Sequence, residues 1–197
     1  MKKVLFVATI TKHITTFHLP YLKMFKEHGY EVHVATDDDA QIPYCDVHHK
    51  ISIRRNPFKI DNLKAIKQLK RIINEEKFDI VHCHTPMGSA VARLAAKKAR
   101  KNGTRVIYTA HGYHFYKGAP LINWLLYYPV EKWLARYTDT QITITQEDYD
   151  LAKKKFKIKD LHLVHGVGLD EEKSNIEVTE DEKRHKCTGS GFAEPVW

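Results

Sequence analysis

Residues 78–112 read FDIVHCHTPMGSAVARLAAKKARKNGTRVIYTAHG, and the succession of patterns in this stretch decides the fold. A short β-branched run, Asp79–Cys83, gives way to a longer helical pattern, Gly88–Lys101, and then to a second β-branched run, Arg105–Thr109. Strand, helix and strand in that order make a βαβ unit, the building block of a parallel sheet. Gly103 falls where a left-handed residue would close the helix.

The same alternation extends in both directions. Strands are expected at Lys3–Thr9, Glu31–Thr36, Val47–Ile53, Thr140–Thr145 and Leu161–Val164, besides the two above. Helices are expected at Phe17–His28, Asn62–Glu75, Leu121–Arg136 and Glu147–Phe156. Gly29 should end the first of these, and Asp61 should accept backbone N–H bonds at the start of the second. Pro129 lacks an N–H and crowds the preceding turn, so it should kink or split its segment. The fold class is therefore α/β, a Rossmann-like parallel β-sheet with helices on both faces. The unusual polar segments fall where strands end: Thr11-Lys-His13 with His18, Asp37–Asp39, His84–Ser89, His111–Gly118, Thr145–Glu147 and His165–Asp170. In an open parallel sheet the carboxyl ends of the strands line one crevice, so these distant segments should converge there.

Composition narrows the classes. A chain of 197 residues suits one well-filled α/β domain and is too short for two full-sized ones. With 43% hydrophobic and 28% charged residues, 9 Gly and 7 Pro, it is neither collagen-like, mucin-like nor wholly disordered. The net charge of +8 is uneven: residues 1–170 hold 28 basic and 17 acidic groups, residues 171–197 hold 4 and 7. A basic body favours polyanions, phosphorylated small molecules or anionic lipid heads as neighbours. Cys45, Cys83 and Cys187 are widely spaced with no CxxC pair, which argues against a disulfide framework or zinc ribbon and fits a reducing, cytoplasmic compartment. Met1-Lys-Lys before Val4–Ile10 imitates a signal peptide, but the apolar run is minimal and Lys12 and His13 interrupt it; a buried first strand is expected. The uncharged stretch from Gly118 to Val130 falls short of the ~20 apolar residues that a membrane-spanning helix needs.

No GxGxxG or GxxxxGK[ST] follows the first strand, so dinucleotide and P-loop chemistry are not expected. Lys12 and His13 there are either a polar loop or contacts for an anionic or hydroxylated ligand. In His82-Cys83-His84, successive strand side chains oppose one another, so a shared zinc is not expected; His82 reads as a core histidine. His84 reads as a crevice residue, because Gly88 and Ser89 open a helix whose free N–H groups suit an anion. In Tyr108–Lys117, His111 follows the strand at once, Gly112 permits close backbone approach, and Tyr113, Phe115 and Tyr116 follow. Aromatic faces beside histidine and lysine suit a sugar or phosphorylated sugar; the alternative is a rigid loop packed for stability. Leu121–Arg136, with two Trp and two Tyr, is either a core helix, the favoured reading, or a membrane-surface helix. The basic runs Lys97–Lys101 and Lys153–Lys155 close helices, and with no helix-turn-helix, RNP motif or zinc finger a nucleic acid is not an expected partner.

Taken together, Lys3–Thr9, Phe17-His-Leu-Pro20, Phe78–Thr85, Tyr108–Phe115 and Gly166-Val-Gly-Leu-Asp170 resemble the N-terminal domain of family-four glycosyltransferases of the GT-B fold, particularly bacterial enzymes of capsular or exopolysaccharide assembly. The resemblance covers residues 1–170. It implies transfer of a hexose from a nucleotide sugar to a growing glycan or polyprenyl-linked acceptor, with retention at the anomeric carbon and without an obligatory metal or cofactor. It also implies that His111 reaches the donor sugar and the reacting centre as the catalytic residue. The substrate-binding candidates beside it are Lys12, His13, His84, Ser89, Gly112 and Tyr113; His13 lies in the matching loop, which here lacks the paired glycines many members carry.

In the family a second Rossmann-like domain supplies the donor-phosphate contacts, and residues 171–197 read as an interdomain connector and truncated tail with a capping box at Thr179 and Glu182. The chain alone is thus expected to bind acceptor weakly and turn over little donor. Its expected partners are the nucleotide sugar, the acceptor, the inner face of a membrane and a complementing C-terminal domain chain. A sugar-nucleotide epimerase domain and a non-catalytic acceptor-binding module are the alternatives.

Overall fold

The alternating pattern folds into a single seven-stranded sheet in the computed structural model, whose described residues are 1–164. The strands are β1 (Lys2–Val7), β2 (Tyr30–Thr36), β3 (Val47–Lys50), β4 (Ile80–Cys83), β5 (Arg105–Ala110), β6 (Thr140–Thr143) and β7 (Asp160–Leu163). The helices are α1 (Thr11–Phe17), α2 (Leu19–Glu27), α3 (Asp61–Glu76), α4 (Pro86–Lys101), α5 (Leu121–Leu134) and α6 (Gln146–Lys155). All pairings are parallel, in the order β3-β2-β1-β4-β5-β6-β7. β1 lies between β2 and β4, with Val4 opposite Val32 on one side and Ile80 on the other. The order reverses between β1 and β4, so their carboxyl ends form the topological switch point.

Alternation along β1 builds both layers. Val4 and Phe6 face Ile14, Leu22, Val32 and Val34 beneath α1 and α2. Leu5 and Val7 face Ala65, Leu69, Val91, Ala92 and Ala95 of α3 and α4. Each fully buried side chain of this size contributes roughly 1.5–3 kcal/mol, so β1 anchors both cores at once. At the switch point the layers come very close. A Cβ on Gly88 would lie 2.6 Å from Thr85 Oγ1 and 3.0 Å from Ala8 Cα, so the first turn of α4 presses on backbone just beyond β1.

Gly29 and Gly103 close their helices at φ +76° and +107°, as expected. Four local expectations are corrected. The polar turn after β1 is itself helical, as α1, and the break before α2 falls at His18. Pro20 explains the break, since it has no N–H to donate back to the preceding turn. Asp61 lies inside α3 rather than capping it, and its carboxylate meets Arg54 at 3.4 Å. The third strand stops at Lys50, although Ile51 and Ile53 stay buried in the core.

The fourth correction concerns α5, which runs through Pro129 unsplit and packs only one face on the core. The carbonyl deprived of its partner by Pro129 belongs to Leu125, which is 68% exposed, so water can serve it. Trp124 and Tyr128 pack on the core, but Leu121, Ile122, Leu126, Tyr127, Val130 and Trp133 are exposed along with Leu125. Leu134 is buried as well, and Glu131 ties the helix to α4. Its carboxylate receives two bonds from the fully buried Arg93 of α4, at 2.6 and 3.0 Å. Arg93 also donates to Ser89 Oγ at 3.0 Å and lies 4.3 Å from the centre of the Tyr108 ring.

Among the described residues no helix is long and apolar enough to cross a membrane. Gly166–Asp170, the connector 171–197 and its capping box lie outside the described residues.

Candidate functional site

The switch point is built from the ends of β1, β4 and β5. His84 continues the β4 ladder by donating its backbone N–H to Val7 O at 2.8 Å. The next residue, Thr85, takes φ +58°, a left-handed conformation that β-branched residues avoid. Thr85 Oγ1 holds that geometry by accepting the Thr9 N–H at 3.1 Å and bonding Thr9 Oγ1 at 2.8 Å. Backbone strain of this kind clusters at functional sites.

Four histidines meet over this knot. His13 comes from α1, His18 from the break before α2, His84 from the end of β4 and His111 from the residue after β5. His13 Nε2 lies 3.3 Å from His111 Nε2 and 3.3 Å from His18 Nε2. The His18 and His84 rings overlap with centroids 3.7 Å apart. One ring nitrogen from each of the four can be chosen so that all lie within 4.8 Å of one another. His18 and His84 are buried, whereas His13 and His111 are half-buried and open the cluster to solvent.

Burial makes all four hard to protonate. It lowers His13 to about 3, His18 to about 2 and His111 to about 4, with neighbouring histidines adding to the effect at His13 and His18. His84, enclosed on every side, is held well below the usual imidazole range by burial first and then by His18, His82 and His111. At neutral pH the cluster is a set of uncharged imidazoles, each with one donor and one acceptor nitrogen, suited to hydroxyl groups or a cation.

The expected site residues divide. His13, His84 and His111 come together, and Gly112 follows His111 at φ +120°. Lys12 is exposed on α1 beside His13. Ser89 lies elsewhere: its hydroxyl is fully buried, donates to Pro86 O at 2.9 Å and accepts from Arg93, while its N–H goes to Thr85 O. Tyr113 is also core, stacked on Phe115 at 4.8 Å and edge-on to Phe156 at 5.7 Å, with its hydroxyl accepting from Gln141. The aromatic stretch after His111 is thus a packed, rigid loop. His82 is a core histidine as expected, its Nε2 2.9 Å from Thr109 Oγ1.

Two features escape the sequence reading. His18 stands among the polar residues near the strand ends, but only the break forced by Pro20 turns it into the cluster. The Arg93–Glu131 pair spans 38 residues and no local pattern announces it. A second acidic-histidine group, Glu31, His33 and Glu76, is internally satisfied: Lys3 Nζ bridges the carboxylates at 3.4 and 2.6 Å, and His33 Nε2 lies 2.8 Å from Glu31.

A parallel sheet ordered 3-2-1-4-5-6-7 with a polar cluster at its switch point defines a Rossmann-like ligand-binding domain of the GT-B kind. The glycosyl transferase 4-like family model matches residues 3–146, and the chain belongs to that family. It is 54% identical over 173 residues to a Bacillus subtilis (strain 168) protein assigned as the glycosyltransferase EpsD, covering 87% of this chain and 45% of the relative. It is 27% identical over 136 residues to the Escherichia coli UDP-Gal:alpha-D-GlcNAc-diphosphoundecaprenol alpha-1,3-galactosyltransferase, covering 68% of this chain and 35% of that protein. The chain therefore spans less than half the length of both relatives. Among solved structures, the UDP-GlcNAc 2-epimerase from Neisseria meningitidis bound to UDP-GlcNAc superposes with a TM-score of 0.59 at 15% identity, over 94% of this chain and 52% of that one. At that identity the likeness concerns the fold.

Proposed function

We infer that residues 1–170 form the acceptor-side domain of a retaining glycosyltransferase, which moves a hexose from a nucleotide sugar to a glycan or polyprenyl-diphosphate-linked acceptor of a bacterial surface polysaccharide. The observation that carries this reading is the convergence of His13, His84 and His111 at the switch point of a glycosyl transferase 4-like sheet. The two relatives support it, one named as a glycosyltransferase and the other as a transferase acting on a diphosphoundecaprenol-linked sugar.

In this reading His111 touches the donor sugar from the end of β5. Being neutral, it can accept from a sugar hydroxyl or donate to one without competing with the nucleotide for phosphate charge. His13 and Lys12 face the acceptor side, and Gly112 lets the backbone approach the sugar. Stabilisation of the departing diphosphate, the largest catalytic contribution, falls to groups other than residues 1–170. The exposed apolar face of α5, flanked by the exposed Lys117, Lys132 and Arg136, lies against the cytoplasmic membrane surface where a lipid-linked acceptor resides.

The test supplies the chain with the carboxyl-terminal half of its 54% identical relative and follows labelled hexose from UDP-hexose into a polyprenyl-diphosphate glycan. Transfer should appear, and His111→Ala should lose most of it while the circular dichroism spectrum is kept. Undiminished transfer by that variant removes His111 from the mechanism. Sugar inversion without any acceptor would favour an epimerase instead.

A further inference from the structure

We propose that His13, His18 and His111, with His84 behind them, form a binding site for a divalent transition-metal ion of the zinc class. The argument begins with a count of lone pairs. His13 Nε2 lies 3.3 Å from two other ring nitrogens, His111 Nε2 and His18 Nε2. An imidazole nitrogen carries either one hydrogen or one lone pair, so the two neighbours compete for a single hydrogen bond, which is at best split between them. Three lone pairs directed at one cation resolve the conflict, because none of the three nitrogens then needs a proton.

The spacing agrees with that solution. Nitrogens bound to zinc at about 2.0–2.1 Å in a tetrahedral arrangement stand about 3.3–3.4 Å apart, the separation found for the two pairs that His13 makes, and the remaining pairs lie within 4.8 Å. The fourth ligand is water or His84, whose ring overlies that of His18 at 3.7 Å and has to turn before both can bind one ion. Both ring nitrogens of His84 lack a hydrogen-bond partner although the residue is fully buried, and His84 keeps a ligand atom within 4.8 Å of the other three. His18 Nδ1 is unpartnered as well. Buried polar nitrogens without partners are uncommon and costly, and several in one place point to an occupant. The two half-buried members, His13 and His111, leave an entry path from solvent.

A cation here would tie α1, the break before α2, the end of β4 and the end of β5 into one knot. All-nitrogen ligation of neutral imidazoles selects zinc, copper, nickel or cobalt over magnesium and calcium, which require oxygen donors. Ligation and a sugar contact are alternatives at the single Nε2 of His111. Binding is therefore measured on the chain without nucleotide sugar, and its outcome is independent of whether the protein transfers hexose.

The experiment strips the full chain with a chelator, then titrates it with Zn2+ against a chromophoric competitor and with Co2+ by visible absorption. One tight equivalent of Zn2+ is expected, with the intense d–d bands of a four-coordinate Co2+ complex. Loss of second-sphere partners already weakens metal sites 10–100-fold, so His13→Ala and His111→Ala should each weaken binding by at least about 100-fold. Both residues are half-buried, and retention of fold is checked by circular dichroism; if either variant unfolds, His13→Gln and His111→Gln replace them. Glu76→Gln, in the other acidic-histidine group, should bind as the parent does. Absence of zinc binding at micromolar concentration overturns the proposal, as does binding that survives loss of both His13 and His111 or that is lost in Glu76→Gln.

Discussion

Gly88 sits where one added carbon would meet Thr85 Oγ1 at 2.6 Å and the Ala8 backbone at 3.0 Å. Thr85 is fixed by its bonds to Thr9 and cannot retreat cheaply, so Gly88→Ala should destabilise the chain by about 1–3 kcal/mol in urea unfolding. An unchanged midpoint would show that α4 can slide away from β1. Residue chemistry also settles the thiols. Burial raises Cys83 to about 12 and Cys45 to about 11, and Cys83 is fully buried and donates to Ile107 O at 3.2 Å. Cys83 should therefore resist a thiol-specific reagent at pH 8 until the protein unfolds, which mass mapping of labelled cysteines would check. At this scale His111 is legible in the sequence, because an apolar strand ends abruptly in His-Gly. Ser89 and Tyr113 have hydroxyls that are already claimed, Ser89 within its own helix by Pro86 O and Arg93 and Tyr113 by Gln141 of the neighbouring strand, and the residue types alone announce neither partner.

Sequence pattern locates well both the strands covered on two faces and the amphipathic helices, such as α3, expected at Asn62–Glu75 and found at Asp61–Glu76. β1, β4 and α4 match their expected spans to within a few residues, because burial leaves a continuous apolar run in the two strands and a helical apolar stripe in α4. α5 is the exception, since its composition reads as core while the fold leaves most of its apolar side chains in solvent. No periodicity distinguishes a helix buried by its own domain from one awaiting a membrane. Ile122→Ser with Leu125→Ser should lower binding to vesicles containing anionic lipid by about 100-fold or more in a flotation assay, since burying two such side chains is worth roughly 3–6 kcal/mol. Equal flotation of variant and parent would remove α5 from the membrane surface. The same helix depends on Arg93. Replacing it with Met strands the Glu131 carboxylate without its guanidinium, and should cost about 3–5 kcal/mol of stability.

Across the whole molecule, the histidines at the switch point couple stability to acid. Burial holds His82 near 3 and His84 well below the usual range, while both take up protons near 6.5 once unfolded. Below pH 6.5 the unfolded chain binds more protons, so stability present at neutral pH is lost as pH falls, by about 1.4 kcal/mol per unit for each. From His82 and His84 alone the chelator-treated chain should thus lose about 3–4 kcal/mol between pH 6.5 and 5, with the buried His18, held near 2, adding to the loss, and a flat urea midpoint across that range would contradict the burial of these rings. The sheet order itself carries a consequence for biosynthesis. β1 is made first but reaches its second neighbour, β4, only through pairs such as Val4 with Ile80, 76 residues apart. Until Ile80–Cys83 leaves the ribosome, one hydrogen-bonding edge of β1 has no strand beside it, and the β1–β2–β3 half is an unfinished, adhesive sheet. Closing so long a loop is slow, so emergence of β4 is the step at which a nascent chain commits either to this domain or to aggregation.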